Sequence, residues 1–273
     1  MAQKNVSLEK RMKEYEQVSR TFLTRRVPVM IRIDGKAFHS FTRGMKRPFD
    51  PLLRDTMEKT MKYLCQNIQG CVFGFTQSDE ITLVLTDYAT ISTDAWFSYN
   101  VQKMSSVAAS MATSAFNRYF YEAVSSQMEF PDAWNDDLEY LCKLESKYFQ
   151  AMFDARAFSI PKEEVCNNLI WRQQDATRNS IASVGQSYFS QKELQGKTRN
   201  QIQEMLFTNK GVNWNDFATR YKRGSCCYRE TKKEEMEDPR MPGKQIQVER
   251  RVWVIDSNPP IFSQDRNFIE KWI

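Results

Sequence analysis

Histidine occurs once in this 273-residue chain, at position 39. That scarcity excludes HExxH metal sites and argues against a Ser-His-Asp mechanism. Six cysteines (Cys65, Cys71, Cys142, Cys166, Cys226 and Cys227) contain no CxxC pair, so the ligand set of a structural zinc is missing too. Reduced thiols in a cytoplasmic protein are the expectation. No apolar run approaches the ~18 residues that span a bilayer. The opening stretch, MAQKNVSLEKRMKEYEQ, lacks the apolar core of a signal peptide and is too acidic for a typical transit peptide. No membrane partner is therefore expected. Internal repeats and low-complexity tracts are absent as well.

What is present points to a folded protein with a polyanionic partner. Hydrophobic residues make up 41% and aromatics 13%, enough for a substantial core in one large domain or a domain plus an extension. The net charge is +5 but unevenly spread: residues 1–50 hold 12 Lys/Arg against 5 Asp/Glu, and residues 122–146 hold 7 acidic residues against one lysine. A basic front end suits nucleic acid or a triphosphate; a solvated charged face is the plainer alternative.

Periodicity predicts the elements. Residues 7–20 form a short charged helix. Val27, Val29, Ile31 and Ile33 alternate onto one face of a strand over 27–33. PFDPLLRDTMEKTMKYLCQN then places Leu53, Met57, Thr60, Met61 and Leu64 at helical spacing behind a Pro/Asp start. CVFGFTQ and ITLVLTD are strands separated by Ser78, Asp79 and Glu80, which makes a hairpin. Over 95–121, Phe97, Val101, Met104, Ala108, Met111 and Ala115 recur at fours and threes, the pattern of a largely buried helix. YFQAMFDARAF follows as a strand with Phe149, Ala151, Phe153, Ala155 and Ala157 on one face. Beyond it, a helix opens at Pro161, a shorter one closes at Gly211, and RYKRGSCCYRE with QIQVERRVWVID forms a long hairpin tipped by TKKEEMEDPRMPGK. The expected fold class is α+β: an antiparallel βαββαβ (ferredoxin-like) sheet with helices on one face over 1–160, then a helical and β-hairpin C-terminal extension, 161–273, packed on it as one unit.

In that order the first and third strands lie side by side, antiparallel, in the centre of the sheet. Asp34, which ends the first strand, therefore meets Asp79 and Glu80 of the hairpin, although Asp34 and Asp79 are 45 residues apart. Carboxylates gathered at a sheet end suit Mg²⁺, which takes one or two of them together with substrate phosphates. Two such ions ~4 Å apart can activate an attacking hydroxyl and stabilise a leaving pyrophosphate. Gly35 lets the backbone pass close to a phosphate, and its carbonyl can face a metal. Lys36, Ala37, Phe38 and His39 would then run along a triphosphate, with backbone amides donating. Each residue has a plainer reading: Asp-Gly as a turn, Ser78 to Glu80 as polar hairpin residues, His39 as a structural hydrogen-bonder.

Four stretches, RIDGKAFHSF, GFTQSDEITLVL, WRQQD and YKRG, resemble the tRNA(His) guanylyltransferase family of 3′-to-5′ nucleotide-adding polymerases, over about residues 20–230. The resemblance implies a core similar to a polymerase palm, two Mg²⁺ held by Asp34, Asp79 and the Gly35 carbonyl, and catalytic roles for Asp34, Asp79 and Glu80, the acidic residue beside them. It implies nucleotide contacts from Asp34, Gly35, Lys36, Ala37, Phe38, His39, Ser78 and Asp79. Lys46 or Arg47 falls near a basic position that serves phosphate or the activated RNA end; the local spacing does not choose between them. The implied chemistry activates a 5′-monophosphorylated tRNA end with ATP, after which the 3′-hydroxyl of GTP or another nucleoside triphosphate attacks that phosphate. A homotetramer, a dimer of dimers, is implied as well.

One departure from the family pattern matters. After WRQQD, guanylyltransferases that extend tRNA(His) carry His-Ile-Asn-Asn-Leu-Tyr-Asn, whereas this chain has TRNSIAS: Thr177 replaces the histidine and Asn179 survives. That points to the guanylyltransferase-like branch, which repairs 5′-truncated tRNA against its own acceptor-stem template. Arg172, Arg178 and Asn179 on a helix, and Lys222 and Arg223 in RYKR, are candidate RNA or phosphate contacts or simply a solvated face. Trp214 and Tyr221 would stack on a base or pack in the core. Addition of the extra guanosine to tRNA(His), a nucleotide cyclase, and a non-catalytic RNA-binding module on the same fold are the competing readings. Against the last, the apparent functional residues are carboxylates, which repel RNA unless a metal intervenes.

Overall fold

The computed structural model describes residues 7–129, 138–237 and 245–273. The acidic connection at 130–137 and the hairpin tip at 238–244 lie outside the described residues. A short helix, α1 (Leu8–Gln17), precedes the sheet. There follow β1 (Val29–Gly35), the one-turn α2 (Phe38–Phe41), α3 (Pro51–Asn67), β2 (Cys71–Gln77), β3 (Glu80–Leu85), α4 (Val101–Glu129), α5 (Leu138–Glu145) and β4 (Phe153–Ser159). The later part contributes α6 (Lys162–Tyr188), α7 (Gln191–Leu194), α8 (Arg199–Lys210), α9 (Thr219–Arg223), β5 (Ser225–Glu237), β6 (Gln245–Asp256) and α10 (Asn267–Glu270). Among the described residues, no helix is long and apolar enough to cross a membrane.

The six strands among the described residues join one antiparallel sheet in the order β4-β1-β3-β2-β5-β6. The first four carry out the split βαβ plan, with β1 central and antiparallel to both β3 and β4. Side-chain alternation then divides the core in two. Val29, Ile31, Ile33, Ile81, Leu83 and Leu85 face α3 and α4; Met30, Val84, Phe73 and Phe75 face α6, through Val165 and Leu169. A third cluster, including Val184, Leu206 and Trp214, joins α6 to α8.

Local chemistry sets the boundaries. Asp50 caps α3, its Oδ1 accepting from the Leu53 amide at 3.1 Å with Pro51 in the first turn, and Gly211 closes α8 in a left-handed conformation. The helix expected from residue 95 begins at Val101, because Phe97, Ser98 and Tyr99 have φ of 49°, 52° and 61° and cannot continue a right-handed helix. Asn100 starts it instead, accepting from the Lys103 amide at 2.9 Å. The strand expected from Tyr148 begins at Phe153. Upstream, the Asn117 side chain takes both backbone groups of Ala151, at 2.9 and 3.2 Å, and Phe149 turns out at φ 59°, exposed. Glu80, expected in the hairpin loop, is the first residue of β3, so the turn is only Ser78 and Asp79. RYKR lies on α9 and not in the hairpin, which starts at Ser225.

The first core is held by an aromatic group. Phe116 of α4 is buried, edge-on to Phe38 at 5.4 Å and stacked on Phe120 at 5.9 Å. Phe116→Ala is expected to lower the unfolding free energy by about 3–5 kcal/mol in urea denaturation; a loss under about 1 kcal/mol would show that the site collapses without a cavity.

Candidate active site

The site follows from the register of β1. Its even-numbered residues face α6, so Met30 lies in the second core, and Arg32 and Asp34 continue the same face toward the strand end. Asp34 stands opposite Glu80 on β3 and Asp154 on β4, and Arg32 opposite Thr82 and Arg156. Residues directly opposite across a ladder share a face. The end of the sheet thus carries a row of three carboxylates behind a row holding two arginines.

The Ser78–Asp79 turn closes onto this end. The Gly35 amide donates to the Asp79 carbonyl at 3.1 Å, which ties the end of β1 directly to the turn. Gly35 also has a steric reason: a Cβ there would lie 2.3 Å from the ring of Phe38. Burial pushes the Asp79 carboxyl above its ordinary value; the Ser78 hydroxyl and Asp79's own amide oppose the shift, and the charge of Asp34 adds to it. The two carboxylates are therefore close enough to repel. Among the described residues no three His, Cys, Asp or Glu side chains converge as a metal cage. A carboxylate that burial disfavours as a bare anion, with Asp34 beside it, does fit a hard divalent cation that draws its other ligands from phosphate and water.

The remaining expected residues fall into three groups. The first lines a cleft of about 390 Å³ beside the turn: His39, Lys46, Arg47, Ser78 and Asn179. There the Lys46 amide donates to Asp50 Oδ2 at 3.0 Å, and its ammonium lies 4.8 Å from the centre of the Tyr140 ring. A second group surrounds α2. Lys36 is exposed, but its amide is taken by the Met152 carbonyl at 2.8 Å, so with Gly35 two of the expected amide donors are committed within the chain. Ala37 has φ 54°, and the Phe38 ring is core, packed on Phe41, Phe116 and Phe153.

The third group turns inward. Arg172 is on no solvated face: it is buried, with Nε and Nη2 donating to Glu80 at 2.7 and 2.6 Å and Nη2 also to Asp175 at 3.0 Å. Burial lifts the Glu80 carboxyl above its ordinary value, against the pull of Arg172 and Arg32. Lys222 is also buried; its ammonium donates to the Asn215 carbonyl and lies over Trp214, and burial lowers its pKa. Arg178 is half-exposed and paired with Asp175 at 2.7 Å, while Arg223 has a buried Nε without a hydrogen-bond partner. Thr177 donates its hydroxyl to the Gln173 carbonyl of its own helix at 3.1 Å.

Sequence reasoning missed most of the cleft wall. Ser180, Ser183 and Ser187 of α6 form one side, and Phe49, stacked at 4.8 Å on the Tyr221 that was expected, forms part of another. The serines recur at three and four residues along one helix face, a small polar stripe that was readable. Trp214 resolves as core, its indole N–H donating to Ser180 Oγ at 3.0 Å.

A split βαβ sheet with paired carboxylates at a strand end and an adjoining turn, beside a basic and polar cleft, defines a palm-type nucleotidyltransferase. The comparisons agree. The sequence matches the profile of tRNAHis guanylyltransferase over residues 9–161 and that of the Thg1 C terminal domain over 163–258. The chain belongs to the tRNA(His) guanylyltransferase (Thg1) family, whose members are nucleotidyltransferases. It is 28% identical over 240 residues to a probable tRNA(His) guanylyltransferase of Dictyostelium discoideum, covering 82% of this chain and 84% of that one. Two solved structures of a bacterial tRNA(His) guanylyltransferase (Thg1)-like protein superpose along nearly the whole length. The ATP complex has a TM-score of 0.77 at 38% identity, and the GTP complex 0.70 at 36%; each alignment covers 98% of this chain and 99% of the other.

The Asp79 shift has a measurable consequence. A carboxyl whose pKa is higher in the folded chain than in the unfolded one favours folding when protonated. Its contribution is fully present below the ordinary 3.8 and is lost as pH rises through the raised value. Asp79→Asn carries no charge at any pH. In EDTA it is expected to melt at a higher temperature than the parent at pH 7, with the gain shrinking toward pH 4. A lower melting temperature at pH 7 would mean that the ionised carboxylate stabilises the fold.

Proposed function

We propose that the protein is a template-dependent 3′-to-5′ nucleotidyltransferase that adds nucleotides to the 5′ end of truncated tRNA. The observation carrying this reading is the Asp34–Asp79 pair, tied together through the Gly35 amide and adjoining a cleft with basic and hydroxyl-bearing walls. In the first step a 5′-phosphate oxygen of the tRNA attacks the α-phosphorus of ATP and pyrophosphate leaves. In the second, the 3′-hydroxyl of the incoming nucleoside triphosphate attacks the 5′-phosphorus and AMP leaves. Two Mg²⁺, when bound, would neutralise phosphate charge and favour ionisation of the attacking hydroxyl. Asp34 and Asp79 would hold them, with the Gly35 carbonyl. Lys46, Arg47 and His39 draw the triphosphate into the cleft by charge and hydrogen bonding, and Ser78 and Asn179 orient it. The template strand selects the base, so the protein needs only to grip the stem by shape and phosphate.

Repair is favoured over guanosine addition to tRNA(His) because Thr177, at the position of the family's histidine, bonds within its own helix and lies off the cleft wall. The same proposal has residues 1–160 as the catalytic part and 161–273 as an extension packed on it. It also has the chain working in the cytoplasm, in keeping with six free thiols, and as a homotetramer, in keeping with Leu8, Met12 and Tyr15 exposed along one face of α1.

The test supplies Mg²⁺, ATP and all four nucleoside triphosphates to two labelled tRNAs. One lacks its first 5′ nucleotide, with each base in turn at the opposing position; the other is tRNA(His) lacking only its extra guanosine. Template-matched repair faster than guanosine addition is expected, and the reverse order would assign the protein to tRNA(His) maturation. Asp79→Ala is expected to slow repair by about 10²-fold or more with tRNA still bound. Parental activity in that variant would overturn the carboxylate assignment, and RNA binding without addition to either tRNA would favour a non-catalytic module.

A further inference from the structure

The turn that carries Asp79 is short and is held mainly by groups outside it. It is two residues long, Ser78 sits at φ 49° and is exposed, and Asp79 is half-buried. Contacts that fix its position are found on either side of it, on opposite faces of the sheet.

From the α3 face comes Arg54, which is buried. Its Nη2 donates to the Thr76 carbonyl at 2.9 Å and to Ser225 Oγ at 3.0 Å, and its Nε to Glu58 at 3.3 Å. The Thr76 hydroxyl in turn donates to the Glu80 carbonyl at 2.9 Å, which closes the base of the hairpin. Glu58 is braced from behind, accepting from Ser225 Oγ at 2.5 Å and paired with Arg220 of α9 at 3.0 Å. From the α6 face comes Arg172, whose two-pronged grip holds Glu80, the residue directly after Asp79. One arginine thus fixes the strand entering the turn and the other the strand leaving it. Their hydrogen bonds run to protein groups, although Arg54 also lines the cleft.

We propose that Arg54 and Arg172 are positioning residues, a pair of clamps that hold the Ser78–Asp79 turn against the end of β1, and that Glu80 serves as the anchor of one clamp. The proposal rests on the reading that Asp79 works at the reacting phosphate. Planar guanidinium forks suit this task, since two fixed hydrogen bonds define a direction that a single ammonium cannot. An ionic pair this deep adds little net stability over a well-packed apolar pair, so geometric definition is what it contributes. Displacing a catalytic group by about 1 Å costs about 10² in rate, which is the scale on which the clamps act.

The test uses Arg54→Lys and Arg172→Lys, which keep the charge and lose the fork. It also uses the double variant Arg172→Met with Glu80→Met, which fills the same space without polar groups and keeps the protein foldable where a single change does not. Two quantities are read: kcat and KM for the nucleoside triphosphate on truncated tRNA, and hydrogen exchange of the Gly35 amide, whose bond to Asp79 reports the seating of the turn. The expected result in each variant is a kcat lower by about 10²-fold, KM altered less than about threefold, and Gly35 exchange faster by about tenfold or more. Parental kcat would overturn the inference. So would a loss of kcat with parental Gly35 exchange, since the arginines would then act on substrate directly. Asp79→Ala separates the two levels. If it keeps activity, the reading of Asp79 fails; if it is inactive while the lysine variants match the parent, the clamps alone fail.

Discussion

The geometry of the candidate site hangs on the antiparallel pairing of β1 with β3. The register Asp34↔Glu80 places the end of β1 level with the turn from β2, and the Gly35 amide then reaches the Asp79 carbonyl. A slip of one residue would turn Asp34 into the apolar core beneath α3 and α4 and present Ile33 to the site instead. The apolar residues at 29, 31 and 33 forbid that slip, because each is buried against the helices. The hydrophobic pattern of one face is thus what aims the carboxylate on the other.

Two kinds of polar burial meet at this sheet end and behave oppositely. Glu80 is desolvated but answered by a guanidinium fork, and the pair locks β3 to α6. Asp79 is desolvated with only a hydroxyl and an amide to answer it, and a like charge stands nearby. The first arrangement is complete within the protein, whereas the second lacks a counter-charge of its own. Neighbouring acidic residues that look equivalent in the sequence therefore sit in different electrostatic surroundings.

The fold was largely legible because its signals are local and periodic. Alternation in β1 and β3, four-three spacing in α3 and α4, and the Pro and Gly boundaries of α6 and α8 each survive in the structure. The convergence of Asp34 with the Asp79 turn was legible too, since the βαββαβ order dictates it. The errors share a cause: a tertiary partner overrode the local pattern. Asn117 took the backbone of Ala151 and shortened β4 from its start. Pairing of residues 21–23 with 99–101, through the Leu23 amide on the Tyr99 carbonyl and the Val101 amide on the Thr21 carbonyl, delayed α4. Arg172 and Lys222 read as surface cations because nothing in their neighbourhood of sequence reveals Glu80, 92 positions away, or the Asn215 carbonyl waiting in the fold. Most of the cleft wall was missed for the same reason, the cleft being assembled from four separate stretches of chain.

The continuity of the sheet bears on how the protein is made. β2 is an inner strand only because β5 pairs with it, through Phe73↔Tyr228 to Thr76↔Ser225, and the α6 face of the sheet is covered only by residues after 160. As the chain leaves the ribosome, all four palm strands are out well before β5 exists. At ~5–20 residues per second, the nascent protein spends several seconds with the hydrogen-bonding edge of β2 bare and Phe73 and Phe75 uncovered. A bare edge beside an open apolar face invites pairing with other chains. This protein's need for chaperones should therefore be concentrated in that interval of synthesis, before its C-terminal hairpin arrives to complete the sheet.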